Sequence, residues 1–252
     1  MMKDLKEYIK EGLFDDLDKI EKVGGMESNV EMLKKEVIDW IIKNTKGQIH
    51  ENKFKLDFNT TPITVDYSGS IEFKTNITSL TNGNFQWGKV SGDFRCFECE
   101  SLESFEGAPK EVGWDFNCFK CKSLKSLEGS PKKVGGYFNC DDCYKLTSLK
   151  GAPKEVRDYF SCEYCPELTS LKGAPEKVGG SFYCSRCKSL KSLEGCPKAV
   201  GGFFSCSECS SLKSLKGAPK EVGSEFYCKN CGIQFTEEDV IQICKVKRKI
   251  YC

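Results

Sequence analysis

The stretch that decides the fold is Phe138-Asn139-Cys140-Asp141-Asp142-Cys143-Tyr144-Lys145-Leu146-Thr147-Ser148-Leu149-Lys150-Gly151-Ala152-Pro153-Lys154-Glu155-Val156. Phe138 and Cys140 stand two residues apart, as do side chains on one face of a short strand. The segment from Leu146 to Pro153 has neither sustained strand alternation nor a full helical stripe, and its Gly and Pro disfavour a helix. Turns, 3₁₀ or extended backbone are expected there, on the outer side of the fold. Outward from this stretch the pattern returns every 22 residues. Cys-x-x-Cys pairs begin at Cys96, Cys118, Cys140, Cys162, Cys184, Cys206 and Cys228. Phe recurs at 94, 116, 138, 160, 182, 204 and 226, and Val at 112, 134, 156, 178, 200 and 222. A fixed period of this length is the mark of a stacked array. One unit cannot bury its own apolar face, whereas seven stacked units share a continuous core of Phe, Cys, Leu and Val.

Compared with one another, the repeats hold their core positions and vary at the strand positions expected to face out. Between Phe and the first Cys stand Arg95, Asn117, Asn139, Ser161, Tyr183, Ser205 and Tyr227. After that Cys stand Phe97, Phe119, Asp141, Glu163, Ser185, Ser207 and Lys229. Tyr137 and Tyr159 precede Phe, and Tyr164 precedes a second Cys. Pointing outward, these side chains would make one face of aromatic anchors among adaptable polar groups, a composition suited to protein recognition. Phe97, Phe119, Tyr137, Tyr159, Tyr164, Tyr183 and Tyr227 are therefore the candidate partner-binding residues. The competing reading is that solvent-facing positions simply drift. The Lys- and Glu-rich outer segments read as a solvated face.

The pattern Phe138-x-Cys140-x-x-Cys143-x-x-Leu146-x-x-Leu149 resembles the leucine-rich repeat, L-x-L-x-x-(N or C)-x-x-L, over about residues 92–232. Phe and Cys here replace the usual strand leucines. The resemblance implies a curved parallel sheet with a concave binding face, and it puts the second Cys where that family buries Asn or Cys. The expected fold is an α/β solenoid of 22-residue leucine-rich-repeat-like units, with a helical N-terminal region and a short C-terminal capping helix. The repeats are also similar to those of uncharacterised bacteriophage proteins. Met2-Lys3-Asp4-Leu5-Lys6-Glu7-Tyr8-Ile9-Lys10-Glu11 resembles the capsid-targeting peptide of T4-like phage head proteins. That likeness implies cleavage between Glu11 and Gly12 and an internal virion protein; an ordinary amphipathic helix is the plainer reading of the same residues.

The 17 cysteines admit two main readings. Cys-x-x-Cys pairs eighteen residues apart fit a Cys₄ zinc spacing, and Cys96, Cys99, Cys118, Cys121, Cys140, Cys143, Cys162 and Cys165 would be the first ligands. Against this, seven pairs do not divide into four-ligand sites, and each first Cys shares the face of a buried Phe. Most of the cysteines are therefore read as reduced core thiols, and no cofactor is expected.

Four segments follow: a helical region over 1–50, a strand-rich cap with degenerate repeats over 51–91, seven repeats over 92–232, and a C-terminal cap over 233–252. Apolar spacing at Val30, Leu33, Val37 and Ile41 predicts a helix, and Thr236 caps a predicted helix to about Lys245. With Lys+Arg 38 against Asp+Glu 37, the charge gives no basic excess pointing to nucleic acid. The sequence has no run long enough for a membrane span and no apolar secretion signal, so a cytoplasmic protein, or one inside a virion, is expected. The single histidine, His50, could complete a catalytic group, but no nucleophile elbow, P-loop or dinucleotide fingerprint accompanies it. A non-enzymatic chain with a protein partner is the expectation.

Overall fold

Each 22-residue unit contributes two strands of two residues. Val156 ends one (Glu155–Val156) and Phe160 begins the other (Phe160–Ser161), with both apolar side chains buried. The computed structural model describes residues 26–47 and 49–252, and over them the chain winds into a β-solenoid of about nine turns. The Val dipeptides build a ten-stranded sheet that begins with Phe54–Asp57, Ile63–Tyr67 and Phe85–Val90 and ends with Lys245–Val246. The Phe dipeptides build a nine-stranded sheet from Ile71–Glu72 to Ile250–Tyr251. All neighbours pair in parallel except Phe54–Asp57 with Ile63–Tyr67. The register is one-to-one across turns: Phe116 faces Phe138, Phe138 faces Phe160, and Val134 faces Val156.

This corrects the expectation of one strand per repeat, and the α/β label with it. Among the described residues the α-helices are Met26–Asn44 and Glu237–Ile241. The ladder hydrogen bonds run past the formal strands: the amides of Phe94, Cys96 and Glu98 donate to the carbonyls of Asp115, Asn117 and Phe119 at 2.8, 2.8 and 2.6 Å. Strand alternation turns Phe94 and Cys96 inward. The residue before the second Cys then takes left-handed backbone in all seven repeats, from φ 54° at Tyr164 to 61° at Arg186. That corner brings Cys99 and its counterparts back into the core. A residue with a Cβ there costs ~1–2 kcal/mol, yet no glycine stands at any of the seven positions. Glycine stands instead at the corner after Val in most repeats, where a Cβ on Gly135 would fall 2.0 Å from the Gly113 carbonyl oxygen, although Arg157 takes that place in one turn.

The core is a set of rows. Phe94, Phe116, Phe138, Phe160, Phe182, Phe204 and Phe226 are fully buried, with successive ring centroids 4.9 to 6.0 Å apart. At the N-terminal end, helix Met26–Asn44 packs Val37 and Ile41 against the core, and Trp40 meets Phe85 edge-on at 5.5 Å. At the other end, Thr236 caps Glu237–Ile241 with a complete capping box. This helix is shorter than its spacing predicted, and the chain beyond it adds another turn to both sheets. Cys228 and Cys252 are joined as a disulfide, their Cα atoms 4.7 Å apart, and the other fifteen cysteines are free. The phage-like peptide, with Glu11 and Gly12, lies outside the described residues.

Replacing a ring in mid-stack removes contacts in two directions. Phe160→Ala is expected to destabilise the protein by about 3–5 kcal/mol in urea unfolding. Trp114→Ala, at a side chain 67% exposed, should stay within about 0.5 kcal/mol of the parent.

Candidate functional site

The same register that stacks Phe inside stacks the variable residues outside. Tyr137 and Tyr159 lie face to face with centroids 4.7 Å apart, and Tyr183 meets Tyr159 edge-on at 6.0 Å. Tyr227 stacks on Tyr251 at 4.8 Å, and Phe203 lies 6.3 Å from Tyr227. Phe97, Phe119, Tyr137, Tyr159, Tyr183 and Tyr227 are half-buried, and Tyr164 is exposed. Tyr137, Tyr159, Tyr183 and Tyr227 alternate with the buried Phe and Cys of their strands and so face away from the core, though neighbouring turns cover much of each ring.

Three of the seven candidates, and Tyr251 beside them, carry one of the chain's own cations. Lys46 sits over Phe97, Lys120 over Phe119, Arg186 over Tyr164 and Lys229 over Tyr251, at 4.9, 4.9, 4.6 and 5.3 Å from the centroids. Among the described residues no cation lies over Tyr137, Tyr159 or Tyr183, nor over Tyr227 and Phe203. The sequence reading missed this division, although Glu98 and Lys120, paired at 3.4 Å, stand one repeat apart and signal it.

Carboxylates surround the central tyrosines. Asp115 accepts the Tyr137 amide at 3.0 Å, and Asp141 accepts the Ser161 hydroxyl at 2.5 Å and the Glu163 amide at 2.6 Å. Burial lifts the Asp115 and Glu163 carboxyls above their ordinary range. Burial lifts Asp141 to about 6, against the pull of Ser161 and the Glu163 amide. Burial, then the neighbouring Tyr137, also raises the Tyr159 phenol.

The thiols sit on the other side of the sheet, in two carbonyl-bonded ladders. Cys118, Cys140 and Cys184 reach the carbonyls of Asn139, Ser161 and Ser205 in the next turn at 3.1, 3.2 and 3.3 Å. Cys121, Cys143, Cys165, Cys187 and Cys209 reach back to the carbonyl of the preceding turn's first Cys at 3.1 to 3.4 Å. Burial pushes the Cys96, Cys118, Cys140, Cys162 and Cys184 thiols well up, and Cys99 to about 12. Cys231 differs: it is half-buried, and its hydrogen bond with the Cys206 thiol lowers it. Among the described residues no three or more His, Cys, Asp or Glu side chains gather as a metal-holding group. None of the helices there is long and apolar enough to cross a membrane. His50 is exposed, just ahead of the 3₁₀ turn Glu51–Lys53.

Asp141 makes the face pH-sensitive. Below its ordinary value near 3.8 it is neutral both folded and unfolded; above about 6 it must be held charged in a half-dry site. Its contribution to stability therefore falls as pH rises through that window. Asp141→Asn keeps the acceptor oxygen and removes the charge. Its melting temperature should exceed that of the parent at pH 8 and match it at pH 3.5, as differential scanning calorimetry would record.

Compared with known proteins, the chain matches no family model, no curated protein and no solved structure.

Proposed function

We propose that this chain is a non-enzymatic recognition module that binds a protein partner through the outer face of its nine-stranded sheet. The observation that carries the reading is the stacked Tyr137–Tyr159 pair with Tyr183 at its edge, set among polar side chains on a rigid support. Tyrosine gives large contact area with few torsions to freeze, and central, half-desolvated aromatics are where interface energy concentrates. The turn-to-turn variation falls on this face while the Phe and Cys rows behind it hold constant. The likeness of the Phe-x-Cys-x-x-Cys-x-x-Leu-x-x-Leu unit to the leucine-rich repeat points the same way, since that family binds through its sheet face.

The full chain should retain a partner from lysate of its source cells. Tyr137→Ala combined with Tyr159→Ala should reduce that capture at least tenfold, at an unchanged far-ultraviolet spectrum and with cooperative melting preserved. Capture that persists in the folded double variant would turn attention to the other reading from sequence, a structural or virion-packaged protein whose solenoid serves as a spacer.

A further inference from the structure

Resting on the recognition reading above, we infer that the centre of the face, at Tyr137, Tyr159 and Tyr183, receives an arginine or lysine side chain of a peptide partner. Four other rings of the face are covered from within the chain, by Lys46, Lys120, Arg186 and Lys229 on Phe97, Phe119, Tyr164 and Tyr251. The chain thus places cations over aromatic rings repeatedly along this face, and among the described residues the central three tyrosines, like Tyr227 and Phe203, lack one.

The central tyrosines are also where carboxylates lack cations. Asp115, Asp141 and Glu163 border them, and Asp158 acts on both Asp115 and Tyr159. Among the described residues none of these four carboxylates has a Lys or Arg nitrogen within 4.0 Å. Arg95 acts on Asp115 and Arg186 on Glu163, but each is paired elsewhere, Arg95 with Asp93 at 2.5 Å and Arg186 with Glu208 at 2.9 Å. Asp115 and Asp141 are held in place by the backbone amides of Tyr137 and Glu163, so their position does not depend on the missing cation. Burial already makes their charged forms costly, and an arriving cation relieves that cost. Tyr137 and Tyr159 each give one face to their mutual stack, so a guanidinium or ammonium at this spot gains a charge-assisted hydrogen bond together with a ring face that the stack does not use.

The chain as a whole carries a net charge of +1, so it has no general attraction for polycations. Preference for a basic peptide would have to come from this local patch. The same carboxylates would repel a phosphate backbone or an anionic lipid surface, which leaves a basic peptide as the fitting occupant.

The test uses the full chain and two fluorescently labelled pentapeptides of sequence Gly-Arg-Gly-Arg-Gly, one with both arginines replaced by citrulline, the neutral isostere. At low ionic strength the arginine peptide should bind at least about tenfold more tightly in polarisation titrations. Asp115→Asn combined with Asp141→Asn should abolish that preference, and Glu238→Gln, on the short C-terminal helix, should leave it intact. Equal binding of the two peptides would overturn the inference. So would a preference that survives Asp115→Asn with Asp141→Asn, or one lost equally in Glu238→Gln. If the peptides bind alike while the tyrosine double variant still releases its captured partner, the cation is wrong and the recognition face stands.

Discussion

Everything in this molecule depends on one constraint: each turn sits in register on the last, so every side chain must tolerate its counterpart about 4.8 Å above and below. Phenylalanine meets it by stacking, and six successive centroid distances stay within 4.9 to 6.0 Å. Cysteine meets it because a thiol is small enough to recur in every turn and can donate weakly to a carbonyl of the adjacent one. In one row charges meet it by alternating, although Lys110, Lys132 and Lys154 recur with like charge in another. Along the outer side of the ten-stranded sheet the row reads Lys89, Glu111, Lys133, Glu155, Lys177, with Lys89–Glu111 at 3.9 Å and Glu155–Lys177 at 3.1 Å. Such exposed pairs each contribute little to stability. Their value lies in avoiding the stacked like charges that a strict repeat would impose.

The candidate site follows from the same constraint. A core that repeats faithfully gives a regular support, and freedom is left only where side chains leave the sheet. The left-handed corner before each second Cys displays this freedom most plainly. Glycine would relieve the backbone there, but the seven positions hold Glu98, Lys120, Asp142, Tyr164, Arg186, Glu208 and Asn230. Side chains at this corner reach the face: Arg186 covers Tyr164, and Lys120 covers Phe119 while pairing with Glu98. Local strain is accepted where it delivers a side chain to the surface on which recognition is proposed.

The periodicity of Phe, Cys and Leu was enough to read the solenoid, its core rows and the outward positions, because in-register stacking turns a sequence row directly into a spatial row. The ten-stranded sheet was legible only at its start, where strand alternation falls on Phe54–Asp57 and Ile63–Tyr67. Its continuation through the repeats was not, because those strands are two residues long and exist only because the neighbouring turn offers the same backbone groups. The last turn was hidden for another reason: Ile250-Tyr251-Cys252 follows Phe226-Tyr227-Cys228 by 24 residues instead of 22, since a short helix intervenes. The Cys228–Cys252 pairing depends on seeing that offset. On the face itself, the tyrosines were legible as outward aromatics. The division between rings that carry an internal cation and rings that do not needed the three-dimensional neighbours of each.

The central claim, that the Cys-x-x-Cys ladders form the dry interior of a register-locked coil, is tested most directly by thiol reactivity before and after unfolding. The twelve cysteines of the first six pairs, Cys96 to Cys209, are all buried and free. In native protein purified without reductant or added metal, they should resist a water-soluble thiol reagent while half-buried Cys231 reacts first. All twelve should react together once denaturant unfolds the chain. Rapid native labelling at several of the twelve, or thiols that stay blocked in denaturant until a chelator is added, would contradict the account.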